Sequence, residues 1–407
     1  MPSTLPLGEP PPEDGSLPPQ VLDGAHQRDV GVYIHVPFCT VRCGYCDFNT
    51  YTHQDMPGVA ISDYHRLAIR EISWAGDVFD RAGLPSRPVS TVFFGGGTPS
   101  LLDPEVIIET LDAVASQWGI ADGAEVTMEA NPDSLDLTRL GELVAGGVTR
   151  FSVGMQSAQP DVLAVLDRTH DPANVPDVVS AIREASAQVS VDLIYGSPGE
   201  TVAMWGQTLE QVVALGVDHV SAYSLIVEPG TALARRISRG ELPDIDDDTH
   251  AAMYVLADDV FSANGLDWYE VSNWSSDATT RSRHNLAYWT SEDWWGVGPG
   301  AHSHVGGVRW WNAKHPSAWA ERITRGHNPA VGREVLDPAT RQTEDVLLRI
   351  RTSDGIALSD CPTGRESTIA DFIARGLVDG HQALSGRLVL TRPGRLVADY
   401  VARELLA

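Results

Sequence analysis

The sequence predicts an α/β fold: an incomplete barrel of six parallel β/α units, followed by a small α+β domain. Two observations carry this. From residue 31 to about 230, short β-branched runs alternate with helix-like stretches of crossover length. The notable polar motifs also fall at or just after the C-terminal ends of the expected strands, where β/α architectures assemble their sites. Strands are expected at 31–36, 89–94, 125–129, 149–153, 189–194 and 219–225, with helices between them at 104–118, 138–145 and 202–215. Crossovers of this kind are right-handed. Six units make most of a barrel but not a closed eightfold one.

Beyond the sixth strand the pattern changes twice. A helix is expected over 246–264 and a short strand near 268–271. Residues 268–319 then hold eight of the eleven tryptophans. From residue 343, helical patterns at 343–351 and 367–375, a strand at 387–391 and a helix at 394–406 suggest a winged-helix-like domain. The expected organisation is a disordered Pro-rich acidic tail at 1–28, the core barrel at 29–265, an aromatic-rich connecting segment at 266–340 and the C-terminal domain at 341–407. The tail rests on seven prolines in the first twenty residues and no Lys or Arg before Arg28.

Composition narrows the function. In a chain of 407 residues, 43% are hydrophobic and 21% charged, as in a globular protein that stays in water. No apolar run approaches the roughly 18 residues that a membrane span needs. The N-terminal segment lacks the basic start and apolar centre of a signal peptide. A formal charge of −26 argues against a nucleic-acid surface. Lys314 is the only lysine, which disfavours Schiff-base chemistry. The four cysteines are poor material for a disulfide framework and suit a reducing cytoplasm.

Three of those cysteines make the sharpest motif. Cys39, Cys43 and Cys46 follow the first expected strand with spacing C-x3-C-x2-C. Thiolates so close on one loop suit a soft metal centre and leave one coordination position open, as chemistry or cofactor binding requires. A zinc loop or three reduced thiols would fit the same spacing. Cys361 lies far away and is expected to be a free thiol. Phe94-Gly-Gly-Gly-Thr-Pro99 follows the second strand, where glycines admit close approach to a ligand and offer N–H donors. Glu129 ends the third strand and suits an amino group or ribose. Gln156 and Arg168 follow the fourth, and a guanidinium matches a carboxylate. Asp192 sits inside an apolar strand, so it needs a ligand or an ion-pair partner.

The ordered set YIHVPFC, CxxxCxYC, FFGGGTPS, EANP, GMQS, LDRTH and DLIYGSPGE resembles the radical S-adenosylmethionine superfamily. Within it, the chain is similar to the branch of oxygen-independent coproporphyrinogen III oxidase and its HemW-type heme-chaperone relatives. The resemblance continues through Tyr269-Glu-Val-Ser-Asn273, His284-Asn-Leu-Ala-Tyr-Trp289 and Gly296-Val-Gly-Pro-Gly-Ala-His302. It implies a partial (β/α)6 TIM-like radical SAM barrel. It also implies a 4Fe–4S cluster on Cys39, Cys43 and Cys46, with S-adenosylmethionine on the fourth iron. Carried over by position, Tyr33, Gly96, Gly97 and Thr98 would touch that cofactor. Glu129, Gln156, Arg168 and Asp192 would complete its pocket, with Tyr45 against the adenine.

One departure divides the branch. The oxidase resembled here has a further Cys two residues after the third; this chain has Phe48 there. The resemblance therefore implies a heme chaperone that binds heme and passes it to acceptor hemoproteins such as cytochromes. The alternative is the radical decarboxylase acting on coproporphyrinogen III. Heme wants an axial ligand and an apolar slot. The HNxxYW stretch offers His284 beside Tyr288 and Trp289, and the glycine loop offers His302 as a second candidate. The same aromatics would equally serve to seal the barrel against the C-terminal domain. A cytoplasmic location and compatibility with a homodimer complete these expectations.

Overall fold

In the computed structural model, residues 8–52, 59–244 and 246–407 are described. Six consecutive strands build the barrel: β1 (Val30–Val36), β2 (Val89–Gly96), β3 (Ile120–Ala130), β4 (Arg150–Gln156), β5 (Gln188–Tyr195) and β6 (His219–Ser224). Each pairs in parallel with the next. The order 1-2-3-4-5-6 follows from crossover helices that each return the chain to the start of the neighbouring strand.

The helices show why they form where they do. Pro104 opens the helix Pro104–Trp118 at a position that needs no N–H. The Thr201 side chain accepts from Met204 N–H and caps Val202–Leu215. Helix Ile61–Ala82 stops at Gly83, whose left-handed backbone (φ +71°) returns its N–H to the carbonyls of Phe79 and Asp80. That helix buries Ala68, Ile72, Ala75, Val78 and Phe79 against the sheet.

Segment 266–340 is not a connector. It carries β7 (Asp267–Glu270), β8 (Asn273–Ser275), β9 (Asp293–Val297), β10 (His302–Val305), β11 (Val308–Asn312) and β12 (Ala330–Val335). All six join the same sheet, in the order β12-β11-β10-β9-β1-β2-β3-β4-β5-β6-β8-β7. β9 lies parallel to β1, whereas β8 closes antiparallel on β6. Tryptophans explain the integration: Trp274, Trp295 and Trp319 are fully buried in the main core. The tryptophan density therefore reflects sheet packing at both flanks of the barrel.

The N-terminal segment also departs from expectation. Residues 1–7 lie outside the described residues, but 8–28 lie against the sheet rather than forming a tail. Val21 and Ala25 are buried in the main core. Glu9 bridges Arg333 on β12, and Arg28 pairs with the buried Asp293 at 2.8 Å. The proline content that reads as disorder here supplies an extended strap with few backbone donors to satisfy.

Residues 346–405 form a second core around Val346, Ile350, Phe372, Leu388 and Val401. It comprises short helices and an antiparallel ladder in which Ile356 faces Leu388 and Ala357 faces Arg387. It docks on the barrel through Arg395, which reaches Asp258 at 3.0 and 2.6 Å and lies 4.3 Å over the Trp268 ring.

Candidate functional site

A barrel interior is normally filled by branched apolar side chains. Here the inward face of the strands is polar and encloses a chamber of about 600 Å³. Thr127 and Glu129 of β3, Arg150, Ser152, Gly154 and Gln156 of β4, and Asp192 of β5 alternate along their strands and line it. The chamber therefore runs the length of the barrel, with the cysteine loop at the C-terminal ends of the strands. Val41, Phe48 and Ile226 line it and are exposed, which marks its mouth.

The cysteine loop is clamped on several sides. Phe38–Cys39 pairs with Tyr51–Thr52 and closes its base. Gly44 donates its N–H to the Leu166 carbonyl and accepts from Leu233 N–H. The Asn49 side chain donates to the carbonyls of Pro299 and Lys314 at 2.9 and 2.8 Å. Tyr45 packs on an apolar cluster that includes Leu166, Ile194 and Leu225, and it lines the chamber. Cys39, Cys43 and Cys46 are half-buried and all face the chamber. Burial pushes the Cys39 thiol up to about 11 and raises Cys46 as well, so metal ligation has to displace their protons. Among the described residues, no three His, Cys, Asp or Glu side chains meet closely enough to hold a single ion. In a polynuclear cluster each thiolate takes a different iron, so the thiols need not converge on one point. Cys361 lies in the second core, its Sγ 3.7 Å from the Ala357 carbonyl.

The glycine run serves the site differently from the sequence expectation. Its N–H groups are already used: Gly96 donates to Glu129 Oε2 at 2.9 Å, and Gly97 and Thr98 donate to the carbonyls of Val36 and Phe38 at 2.7 Å each. What glycine provides is room. Gly96 has φ +111°, and a Cβ there would lie 2.5 Å from the His35 ring; at Gly97 it would lie 2.4 Å from the Phe38 carbonyl oxygen. Thr98 Oγ1 lies 3.9 Å from Cys39 Sγ.

Two carboxylates face the chamber beside this run. Burial, with the neighbouring Asp192 charge, pushes Glu129 up to about 7. Burial raises Asp192 too, although Ser152 Oγ donates to both its oxygens at 2.9 and 2.8 Å. The partner expected for Asp192 is thus a hydroxyl. Gln156 has a left-handed backbone (φ +63°) beside a β-bulge, a costly conformation for a non-glycine residue that turns its side chain to the chamber. Arg168 donates to the Gly154 carbonyl at 2.7 Å and reaches Cys43 Sγ at 3.7 Å, so its guanidinium faces the cysteine loop.

At the other end the wall turns aromatic. Tyr33 lies with its ring 6.1 Å from Phe93 and 6.4 Å from His284, and its hydroxyl meets His35 Nδ1 at 3.0 Å. His284 is buried, stacks 5.1 Å from Phe93, and has both ring nitrogens engaged, Nδ1 with Thr91 Oγ1 and Nε2 with the Tyr288 hydroxyl, each at 2.8 Å. Burial lowers its pKa to about 3, so the ring is neutral. Glu125 accepts the backbone N–H groups of Arg283 and His284 and fixes the turn that presents it. His284 and Tyr288 line the chamber; Trp289 and His302 are not among its lining residues. His302 stacks on Trp311 at 5.9 Å instead, which corrects the expectation that the glycine loop turns it towards the chamber.

Arg150, Ser152, Ser190, His219 and Ser221 also line the chamber and escaped the motif reading. Their signal was present. Parallel strands buried on both faces read as continuous apolar runs, whereas Arg150-Phe-Ser-Val-Gly-Met-Gln156 alternates polar with apolar. Alternation in a parallel strand marks a wet inner face.

The residues present fit an iron–sulfur cluster and S-adenosylmethionine. Three thiols stand on one loop at the chamber mouth. Two buried carboxylates with raised pKa values, lacking an ion pair among the described residues, suit a ligand that carries N–H and O–H donors and positive charge.

A radical SAM superfamily model matches residues 33–212. The chain is 47% identical over 378 residues to the heme chaperone HemW of Mycobacterium tuberculosis, covering 92% of this chain and 94% of the relative. It is 30% identical to heme chaperone HemW of Bacillus subtilis, over 91% of this chain and 97% of that one. The solved structure of coproporphyrinogen III oxidase (HemN) from Escherichia coli, a radical SAM enzyme, superposes with a TM-score of 0.78 at 20% identity. That alignment covers 97% of this chain and 94% of the other, and shows a common fold. Among the described residues, no helix is long and apolar enough to cross a membrane. The chain belongs to the HemW heme-chaperone family within the radical SAM superfamily.

Proposed function

We propose that this protein binds a 4Fe–4S cluster, S-adenosylmethionine and heme, and hands the heme to acceptor hemoproteins. Superfamily membership implies the first two; the names of the similar heme chaperones support the third. The observation that supports the whole reading is a single chamber with Cys39, Cys43 and Cys46 at its mouth and His284 and Tyr288 in its wall.

When bound, such a cluster supplies one-electron chemistry. In this reading the chain's residues do the rest. Cys39, Cys43 and Cys46 hold three irons. Glu129 and Asp192 accept N–H and O–H groups of S-adenosylmethionine, Gly96, Gly97 and Thr98 let it approach the strand ends, and Tyr45 lies against its adenine. Tyr33, Gln156 and Arg168 complete the pocket. His284 Nε2, now bonded to the Tyr288 hydroxyl, would be the residue to hold heme iron, and Phe93 and Tyr288 would supply the apolar face. In that role the residues that hold the cluster and S-adenosylmethionine would serve to gate transfer or assembly rather than the oxidation of a bulk substrate.

The test is a heme titration of anaerobically reconstituted protein, followed by mixing with apo-cytochromes. Saturable uptake and passage of heme to the acceptor are expected. Protoporphyrinogen formed at useful rates from coproporphyrinogen, S-adenosylmethionine and an electron donor would replace this reading with the decarboxylase.

A further inference from the structure

Among the chamber's lining residues, Arg150 is a buried charge with no ion pair among the described residues. It is 2% exposed and opens β4 at the end remote from the cysteines. Its only hydrogen bonds among the described residues come from Nη1, to the Thr280 carbonyl at 2.7 Å and to Gln188 Oε1 at 3.4 Å. Both acceptors are neutral, and no carboxylate among the described residues forms an ion pair with it. Asp192 is close enough to feel its charge but is engaged by Ser152. A guanidinium stays charged, and a buried charge without a partner is costly. The remaining guanidinium donors form a fork suited to a carboxylate.

The surroundings match such a ligand. His219 lines the same chamber; its Nδ1 meets Ser190 Oγ and its Nε2 meets the Tyr269 hydroxyl, each at 2.8 Å. Thr280, which holds Arg150, lies four residues before His284. Its turn is fixed by Ser282 N–H donating to that same Tyr269 hydroxyl at 3.2 Å. Arg150 and His284 thus belong to one end of the chamber. Gln156, at the cysteine end of the same strand, lies roughly 20 Å from Arg150 along the backbone. A carboxylate chelating the cluster is therefore out of reach of Arg150.

Resting on the heme reading above, we propose that Arg150 is the anchor for a propionate carboxylate of the bound porphyrin, with His219 and the Ser190 and Ser221 hydroxyls lining that subsite. Heme and heme dimethyl ester, which lacks both carboxylates, are titrated into wild-type protein, Arg150→Gln and Arg150→Lys, with cluster content, S-adenosylmethionine affinity and thermal midpoint measured on each. Wild type should bind heme at least tenfold tighter than the diester. Arg150→Gln should lose that preference by weakening heme alone, and Arg150→Lys should keep part of it. Equal losses for heme and diester would make Arg150 a support for the 280–284 turn and overturn the proposal. So would loss of S-adenosylmethionine binding in place of heme binding. If Arg150→Gln does not fold, the wild-type preference and Arg150→Lys decide. Wild type that binds heme and diester alike overturns this inference alone, whereas wild type that binds no heme overturns the function reading with it.

Discussion

Glu129→Gln tests the proposed S-adenosylmethionine end of the chamber. The carboxylate takes one bond, from Gly96 N–H at 2.9 Å, and its second oxygen remains for a ligand. Gln keeps the shape and an acceptor for Gly96 but loses the charge. A hydrogen bond to a charged group contributes about 1.5–3 kcal/mol, so affinity for S-adenosylmethionine should fall roughly tenfold to a hundredfold. The pH dependence is more discriminating. Burial and Asp192 raise Glu129 to about 7, so its carboxyl is protonated below that pH and ionised above it. Wild-type affinity should weaken as pH falls from 7.5 to 6, approaching about tenfold per pH unit below 7. The ligand's own amino group titrates identically with the variant, so the difference between the two slopes belongs to Glu129. Calorimetric titration of reconstituted protein at pH 6, 6.5, 7 and 7.5 measures it. Equal affinities and parallel slopes would refute the assignment and leave Glu129 as a cap for Gly96.

Replacing Cys39, Cys43 or Cys46 with Ala should abolish iron and sulfide retention after reconstitution, whereas Cys361→Ala, in the second core, should keep full content; elemental analysis decides. His284→Ala should shift the Soret band or weaken heme retention while leaving cluster content alone. Tyr288→Phe should do the opposite and tighten heme about two- to tenfold, because ligation by Nε2 no longer breaks a hydrogen bond of about 0.5–1.5 kcal/mol; weaker binding in that variant would make Tyr288 itself the ligand. Stability should fall between pH 5 and 8: Glu71, pushed up to about 8 by burial, keeps its proton in the fold while the unfolded chain releases it near 4.5. Its contribution is full below 4.5 and lost as pH rises through 8, so Glu71→Gln should flatten the thermal midpoint over that window.

The barrel was legible because strand and helix periods alternate for two hundred residues, and the strands fall within a few residues of their expected limits. The helix 202–215 matches residue for residue, since Thr201 and Gly216 punctuate it. What sequence reading missed was non-local. Strands β9 to β12 are only four to six residues long, and nothing local says that β9 inserts beside β1. Pairing across some 260 residues, as between Val30 and Asp293, is decided by the tertiary core. The N-terminal strap failed for a related reason. Its composition is that of a free chain, and its order comes from Val21, Ala25 and Arg28 meeting partners near residues 293–333. At the site, cysteine spacing singled out a loop whose three thiols face the chamber, but a glycine run says nothing about where its N–H groups point. Those of Gly96 and Gly97 are spent on Glu129 and Val36, and that of Thr98 on Phe38.

The two ends of the chamber are joined by one strand. On β4, Arg150 stands at one end, the Ser152 hydroxyl binds Asp192 midway, the Gly154 carbonyl takes Arg168, and Arg168 reaches Cys43 at the other. A paired strand has little freedom to bend, so ligands at its two ends interact through charge more readily than through movement. The carboxyls that lie between are Asp192 and Glu129, and burial raises the pKa of both. A cationic ligand at the mouth favours their ionised forms, and ionised forms in turn raise the cost of a second anion at Arg150. With S-adenosylmethionine at the mouth and a carboxylate at Arg150, heme affinity should therefore fall modestly when S-adenosylmethionine is added; unchanged heme affinity would mean that the two ends do not interact through these carboxyls.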